Sequence, residues 1–333
     1  MRASRLQRSV LAVPATSERF AASAARSAAD AIFIDLEDAV LPARKAEARA
    51  LAIRSLNHLD WGDRVVSVRI NEIGSAWGYR DIVEIVEQCP RLDTLLIPKV
   101  AHAEELRFVE RLLTAIELGR SRRERVGIEA LIETPQGVAH VEEIAAASAR
   151  LESLAFGTGD YSVAMRVPQT RYGSPDPQHG VLGSLADGSG TAFYWNDQWH
   201  FALARIANAC RANGLRPLDG PFTAIDDPSG YLASARRSRA LGFEGKWAIH
   251  PSQVELANST FVPTHAELSW ALRVRDAMTA AAASGQGAAR LDGDMVDLAH
   301  LRHAQIIQSR QQLIDSKCPR GARADASAGE GTT

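Results

Sequence analysis

Eight short runs rich in apolar and β-branched residues recur along this chain, each followed by a stretch with helical patterning. The runs are Arg8–Ala15 (RSVLAVPA), Ala31–Asp38 (AIFIDLED), Arg64–Asn71 (RVVSVRIN) and Thr94–Val100 (TLLIPKV). The other four are Ile128–Pro135 (IEALIETP), Leu151–Asp160 (LESLAFGTGD), Arg216–Thr223 (RPLDGPFT) and Lys246–Gln253 (KWAIHPSQ). Segments such as PARKAEARALAIRSL and HAEELRFVERLLTAIE supply the helices between them. Parallel strands need crossover helices, and eight strand–helix units over roughly 250 residues predict an α/β fold of the (β/α)8 TIM-barrel type. An open doubly wound sheet is the competing arrangement. No Gly-x-Gly-x-x-Gly follows the first run, which disfavours its dinucleotide-binding form.

The alternation is interrupted once. Residues 166–199 form an insertion rich in Pro, Gly and aromatics, and excursions of this length are usually functional or disordered. Phe193, Tyr194, Trp195 and Trp199 predict a packed one. The catalytic barrel is expected over 1–262, a C-terminal helical lid over 263–315, and a disordered tail over 316–333. The lid contains PTHAELSWALRVRDAMTAAAASG, a Gly-rich hinge-like stretch and a last small unit ending in LAHLRHAQIIQSRQQL.

A formal net charge of −2 argues against a nucleic-acid partner, and the short run GRSRRERVG reads as a solvated helix end. No apolar run approaches the ~20 residues of a membrane span, so no membrane partner is expected. The basic N-terminal head leads into an apolar segment too short for a signal peptide. Cys89, Cys210 and Cys318 fit neither a metal spacing nor a disulfide framework, which predicts reduced thiols and a cytoplasmic protein.

Side chains alternate across a strand. Phe33, Asp35 and Glu37 therefore share one face, and Ile32, Ile34 and Leu36 the other; Ser67, Arg69 and Asn71 oppose Val66, Val68 and Ile70. The aliphatic faces are expected to meet the helices. The other faces turn polar only near their C-terminal ends, as a barrel with its active site at that rim requires. Asp38 points away from Asp35 and Glu37 by the same rule, and is expected to cap or pair with the helix starting near Pro42. Glu133 and Asp160 end consecutive strands, 27 residues apart. Neighbouring strands lie about 4.8 Å apart, so both carboxylates can reach one ion. Two hard oxygen ligands suit Mg²⁺ better than Zn²⁺; capping of the following helices is the structural alternative. Arg69 suits the grip of a carboxylate or enolate, or a structural ion pair with Asp35 or Glu37. Lys99 suits electrostatics better than a Schiff base beside a metal. His250, before Pro251, is either a ligand contact or a satisfied rim histidine.

Taken in order, RSVLAVPA, ADAIFIDLEDAV, SVRIN, RLDTLLIPKV, IEALIETPQGV, EEIAAASARLESLAFGTGDYS and GDMVDLAHLRHA resemble the HpcH/HpaI aldolase and citrate lyase β-subunit superfamily over about residues 8 to 305. LDWGDRVVSVRIN, the insertion, AFYWNDQWHFALARI and NGLRPLDGPF resemble its malyl-CoA lyase branch, whereas KWAIHPSQV is more similar to citrate-lyase-type sequences. The resemblance implies a homotrimer or homohexamer whose lid is shared between subunits. It implies Mg²⁺, or Mn²⁺, on Glu133 and Asp160, with Asp35 and Glu37 orienting metal-bound water. It also implies enolate stabilisation by Arg69 and acid/base work by Asp297 from a neighbouring lid, although a helix N-cap accounts for Asp297 equally well. The implied reaction cleaves a malyl-CoA-type, citramalyl or citryl thioester to a 2-oxo acid such as glyoxylate plus acetyl-CoA. A malyl-CoA thioesterase and a CoA-independent class II 2-keto acid aldolase are the alternatives. The chain departs from the family at Pro14-Ala15, where Pro-Gly is usual, and at Ser23, where a CoA-contacting lysine is usual. Arg19 or Arg26 would then meet the CoA phosphates, with Pro14 and His250 at the substrate mouth.

Overall fold

In the computed structural model, which describes residues 5–122, 124–168, 170–174 and 176–317, eight parallel strands close into a barrel. They are β1 (Ser9–Pro14), β2 (Ala31–Asp35), β3 (Val65–Arg69), β4 (Thr94–Ile97), β5 (Gly127–Ile132), β6 (Leu151–Phe156), β7 (Arg216–Asp219) and β8 (Gly245–Ala248). Each pairs with its sequence neighbours and β1 pairs with β8, so no sheet edge is left open. The eight predicted runs are these eight strands, and the doubly wound alternative is excluded.

Alternation divides the apolar residues between two cores. Ile32, Ile34, Leu36, Val66, Val68 and Ile70 face outward and share one buried cluster with helix residues such as Leu56, Ile82 and Ile85. Inside the barrel Val10, Phe33, Leu96, Leu131, Leu218 and Trp247 fill a smaller cluster. Below it, Glu129 is buried but satisfied: it accepts from Gln7 Nε2 at 3.0 Å, Thr94 Oγ1 at 2.8 Å and Ser153 Oγ at 3.0 Å. Arg5 and Arg216 both reach Glu152 at 2.9 Å and complete this base. At the opposite end the register sets Pro14 beside Asp35 and Asp35 beside Arg69. The Arg-rich run is tied down: Arg122 donates to the carbonyls of Cys89 at 2.9 Å and Leu92 at 2.8 Å.

The insertion differs from its expectation. Gly180–Ser184 and Thr191–Trp195 form an antiparallel hairpin in which Phe193 and Tyr194 stay about half exposed. Their rings lie over Gly180 and Gly183 of the hairpin itself, so their packing is local. Trp199 does pack on the barrel, buried against Phe156 and Tyr161.

The chain divides into two compact units after Phe261. In the second, helices His265–Ala283 and Leu298–Lys317 enclose a small core of Ala271, Val274, Met278, Val296 and Ala304. The last small unit opens with a two-stranded hairpin, Ala289–Leu291 with Asp294–Val296, directly after the Gly-rich stretch. Its turn residues Asp292 and Gly293 both have positive φ (54° and 96°), the Asp-Gly turn that suits the twist of such a hairpin. Ser316 and Lys317 end the last helix, and the rest of the expected disordered tail lies outside the described residues.

Two glycine substitutions have opposite expected signs. A Cβ on Gly245 would overlap the Gln7 carbonyl oxygen, whereas one on Gly119, in helix Ala103–Arg120, meets nothing within 4 Å. Urea denaturation should show Gly245→Ala destabilised by about 3 kcal/mol and Gly119→Ala stabilised by about 0.5–1 kcal/mol.

Candidate active site

The polar strand ends converge on one cavity of about 300 Å³ at the C-terminal rim, lined by Asp35, Asp38, Arg69, Glu133 and Asp160 over an apolar floor. Register explains the first contact. Arg69, opposite Asp35, donates through Nε and Nη2 to the two Asp35 oxygens at 2.7 and 2.6 Å. Its Nη1 lies 3.1 Å from Glu37 Oε2, and its guanidinium carbon sits 5.7 Å from the Phe33 ring and 5.9 Å from Trp247. Burial works against the Arg69 charge, but Asp35 and Glu37 outweigh it and hold the pKa above its ordinary value.

Lys99 clamps the cluster from both its ends. Its backbone is left-handed, with φ at 54°, a conformation unusual for a long side chain. That turn lets its N–H donate to Glu133 Oε1 at 2.9 Å while Nζ donates to Glu37 Oε1 at 2.7 Å and reaches Asp38 Oδ1 at 3.3 Å. Burial lowers the Lys99 pKa, yet Glu37 more than reverses this, so the ammonium persists and a Schiff-base amine is disfavoured. Behind the turn, buried Lys45 donates to the carbonyls of Leu36 at 2.8 Å and Glu37 at 2.7 Å. Asp38 corrects its expectation. The chain leaves regular strand geometry after Asp35, alternation lapses, and Asp38 lines the cavity beside Lys99 and Arg69 instead of serving the next helix.

The cluster is over-supplied with acid. Burial pushes Glu37 up to about 7 against the pull of Arg69 and Lys99. Glu133 is buried, and that burial, with Glu37 and Asp160 nearby, raises it well above the carboxylate range although Arg69 opposes the shift. Gly157 is obligatory beside it, because a Cβ there would overlap Glu133 Oε2. Asp160 sits in the first turn of helix Thr158–Ala164 and lines the same cavity. Among the described residues no group of three or more His, Cys, Asp or Glu is assembled around a common point. Two carboxylates with room left for water and substrate oxygens are a fitting donor set for Mg²⁺, and a divalent cation would relieve the crowding of like charge at Glu133.

The other expected residues are dispersed. Pro14 lines the cavity; Arg19, Arg26 and His250 do not. Arg19 and Arg26 are exposed near the two ends of helix Glu18–Ala25. His250 caps the turn after β8, its Nδ1 meeting Ser252 Oγ at 2.8 Å and accepting from Ser252 N at 3.2 Å. Asp297, in the second unit, accepts from Ala299 N at 2.9 Å and contacts His300 Nδ1 at 2.8 Å; that His300 bond lowers its pKa. Phe33 lies on the Asp35 face as alternation predicts, but its floor partner Trp247, with ring centroids 4.5 Å apart, and the wall residues Gly157 and Pro221 were not singled out from sequence. Strand alternation alone would have turned Trp247 inward, opposite to Lys246.

A barrel with this rim places the chain among (β/α)8 enzymes. It belongs to the HpcH/HpaI aldolase/citrate lyase family, whose profile matches residues 8–251. The L-malyl-CoA/β-methylmalyl-CoA lyase of Cereibacter sphaeroides is 43% identical over 304 residues, 91% of this chain and 92% of the relative. The (3S)-malyl-CoA thioesterase of the same species is 36% identical over 317 residues, 95% of this chain and 97% of the relative. Among solved structures, the protein CitE of Mycobacterium tuberculosis, in complex with magnesium, acetoacetate and coenzyme A, matches with a TM-score of 0.68 and 30% identity over 94% of this chain and all of that one (100%).

The charge crowding has a measurable consequence. Without divalent cations, Glu133→Gln should melt about 2–4 °C above wild type, the effect of ~1 kcal/mol in a domain of this size. Mg²⁺ should raise the melting temperature of wild type and leave that of the variant unchanged. Equal Mg²⁺ shifts in a thermal-shift titration would remove Glu133 from the metal site.

Proposed function

We propose that this chain is a Mg²⁺-dependent carbon–carbon lyase. It cleaves a malyl-CoA-type thioester to glyoxylate and acetyl-CoA and catalyses the reverse condensation. The observation that carries this reading is one cavity holding the Glu133/Asp160 pair opposite an Arg69 locked by Asp35. Glu133 and Asp160 would hold Mg²⁺, or Mn²⁺ in its place, which when bound would supply a Lewis acid for the substrate's oxygens.

The remaining work falls to the protein. The C2–C3 bond breaks as the C2 hydroxyl loses its proton and the electron pair moves onto the thioester carbonyl. Arg69 meets that developing negative charge. Its two bonds to Asp35 and its seat over Phe33 and Trp247 fix the guanidinium in advance, so little reorganisation accompanies the reaction. Asp35 and Glu37 hold the surrounding charges and water in register. Asp297, carried on the lid of a neighbouring subunit in a homotrimer or homohexamer, exchanges the substrate proton; its bond to His300 keeps it ionised.

Arg19 and Arg26, exposed and seven residues apart on one helix side, offer cations to the CoA phosphates in place of the lysine replaced by Ser23. Pro14 shapes the mouth and His250 its rim. The enzyme works in the cytoplasm, in keeping with Cys89 and Cys210 as buried free thiols, and no helix among the described residues is long and apolar enough to cross a membrane. A thioesterase is the second reading, favoured by the 36% identical relative that carries that name.

Three incubations with Mg²⁺ separate them. Glyoxylate with acetyl-CoA should accumulate malyl-CoA, and malyl-CoA alone should return glyoxylate and acetyl-CoA. Release of malate and free CoA from malyl-CoA would identify the thioesterase, and turnover of pyruvate with an aldehyde alone would identify a CoA-independent aldolase. Arg69→Lys, which loses the two-pronged grip, should lower kcat by roughly 100- to 1000-fold with little change in KM for acetyl-CoA.

A further inference from the structure

Behind the β7–β8 wall of the cavity lies a charged pair that the proposed chemistry does not use. Lys246 and Asp219 are each 1% exposed, and Lys246 Nζ donates to Asp219 Oδ2 at 2.7 Å. Trp247 faces the barrel interior, so its neighbour Lys246 faces outward, with Nζ 5.6 Å from the buried Tyr231 ring. Tyr231 in turn donates through its hydroxyl to the Trp247 carbonyl at 3.0 Å.

Both partners grip one residue. Asp219 Oδ1 accepts from the Gly220 N–H at 2.9 Å, and Lys246 Nζ donates to the Gly220 carbonyl at 2.9 Å. The next residue, Pro221, lines the cavity. Gly220 is also held from the other side, because a Cβ there would overlap the Phe156 carbonyl oxygen. Phe156 is followed by Gly157, against which Glu133 is packed, and three residues later by Asp160. Gln253 extends the hold, donating to Phe222 O at 2.9 Å and accepting from Ile249 N at 2.9 Å.

Stability alone does not account for such a pair. A well-packed apolar pair of similar volume commonly holds a fold as well as a buried ion pair, because the charges must be stripped of water. What an apolar pair cannot do is bind both polar groups of Gly220.

We propose that Lys246 and Asp219 are positioning residues for the active site. Together they fix the Gly220–Pro221 wall and, through its contact with Phe156–Gly157, the placement of the two metal-binding carboxylates. The proposal rests on the assignment of Glu133 and Asp160 as those carboxylates. Outer supports of this kind typically change metal affinity or activity 10- to 100-fold.

The test uses full-length wild type and the double variant Lys246→Met/Asp219→Leu, which fills the site without charge. Urea denaturation without Mg²⁺ reports the fold, and a Mg²⁺ titration by thermal shift reports the site with no substrate present. The double variant should remain folded without Mg²⁺, though less stable than wild type because the buried Gly220 N–H and carbonyl lose their partners, and should need roughly 10-fold more Mg²⁺ for half its shift. In the condensation assay its kcat should fall roughly 100-fold, with KM for acetyl-CoA unchanged, as expected for a misplacement of about 1 Å. A folded double variant whose Mg²⁺ titration coincides with that of wild type overturns the proposal whatever its activity. A wild type that titrates with Mg²⁺ yet turns over none of the substrates sinks the lyase reading and leaves this one standing. If the double variant does not fold, Asp219→Asn answers the same question. It keeps the volume and the Gly220 acceptor without the charge, so a weakened Mg²⁺ titration supports the role and an unchanged one overturns it.

Discussion

The pairing of Arg69 with Asp35 is the interaction on which the rest of the site depends. Strand register sets the two residues side by side on β2 and β3, and the fork of the guanidinium matches both oxygens of the carboxylate. Once Arg69 is neutralised and aimed in this way, further acids can be buried around it. Asp35, Glu37, Asp38, Glu133 and Asp160 contribute five formal negative charges; Arg69, Lys99 and Lys45 contribute three positive ones. The difference, five minus three, is the charge of one divalent cation. Burial is the main cause of the raised pKa values of Glu37 and Glu133, and at Glu133 the neighbouring Glu37 and Asp160 add to it. Crowding of this sort costs stability in the metal-free protein, and functional sites are where such costs are commonly found.

Backbone constraints turn that charge arrangement into a shape. Lys99 takes the left-handed region so that one residue presents its N–H to Glu133 and its ammonium to Glu37. A non-glycine residue held there costs of order 1 kcal/mol, which the two bonds offset. Gly157 and Gly220 work in the opposite direction, since each removes a Cβ that would push neighbouring strand ends apart. The cavity wall is therefore a stack of close backbone approaches, and its geometry follows from strand spacing more than from loop conformation.

Much of this was legible in the sequence because alternation and register are period-two properties. Eight apolar runs with crossover helices leave few closed topologies, and alternation along β2 and β3 turns Asp35 and Arg69 to the same inward face. Asp38 was misread where that period ends: beyond Asp35 the chain turns, and the rule no longer says which way a side chain points. Trp199 of the insertion packs as expected, whereas Phe193 and Tyr194 were misread for another reason. Their packing partners are glycines on the facing hairpin strand, which composition does not reveal. The bond from Lys246 to Gly220 joins residues 26 apart in the chain, a separation that no local pattern reveals.

The two ends of the barrel show how one residue type is given opposite tasks. Glu129 and Glu133 lie four positions apart around β5, on the same inward face, and both are buried. At the base, Glu129 has both oxygens occupied by neutral donors from Gln7, Thr94 and Ser153, so no ligand is needed to satisfy it. At the rim, Glu133 receives one backbone N–H and otherwise lies among Glu37, Arg69 and Asp160, with two acids against the one guanidinium. A buried carboxylate with its donors supplied closes a structure; one left short of donors among like charges remains available to a cation. The same strand thus carries a structural acid and a ligand acid, and the difference lies wholly in which donors the neighbouring strands bring to each level.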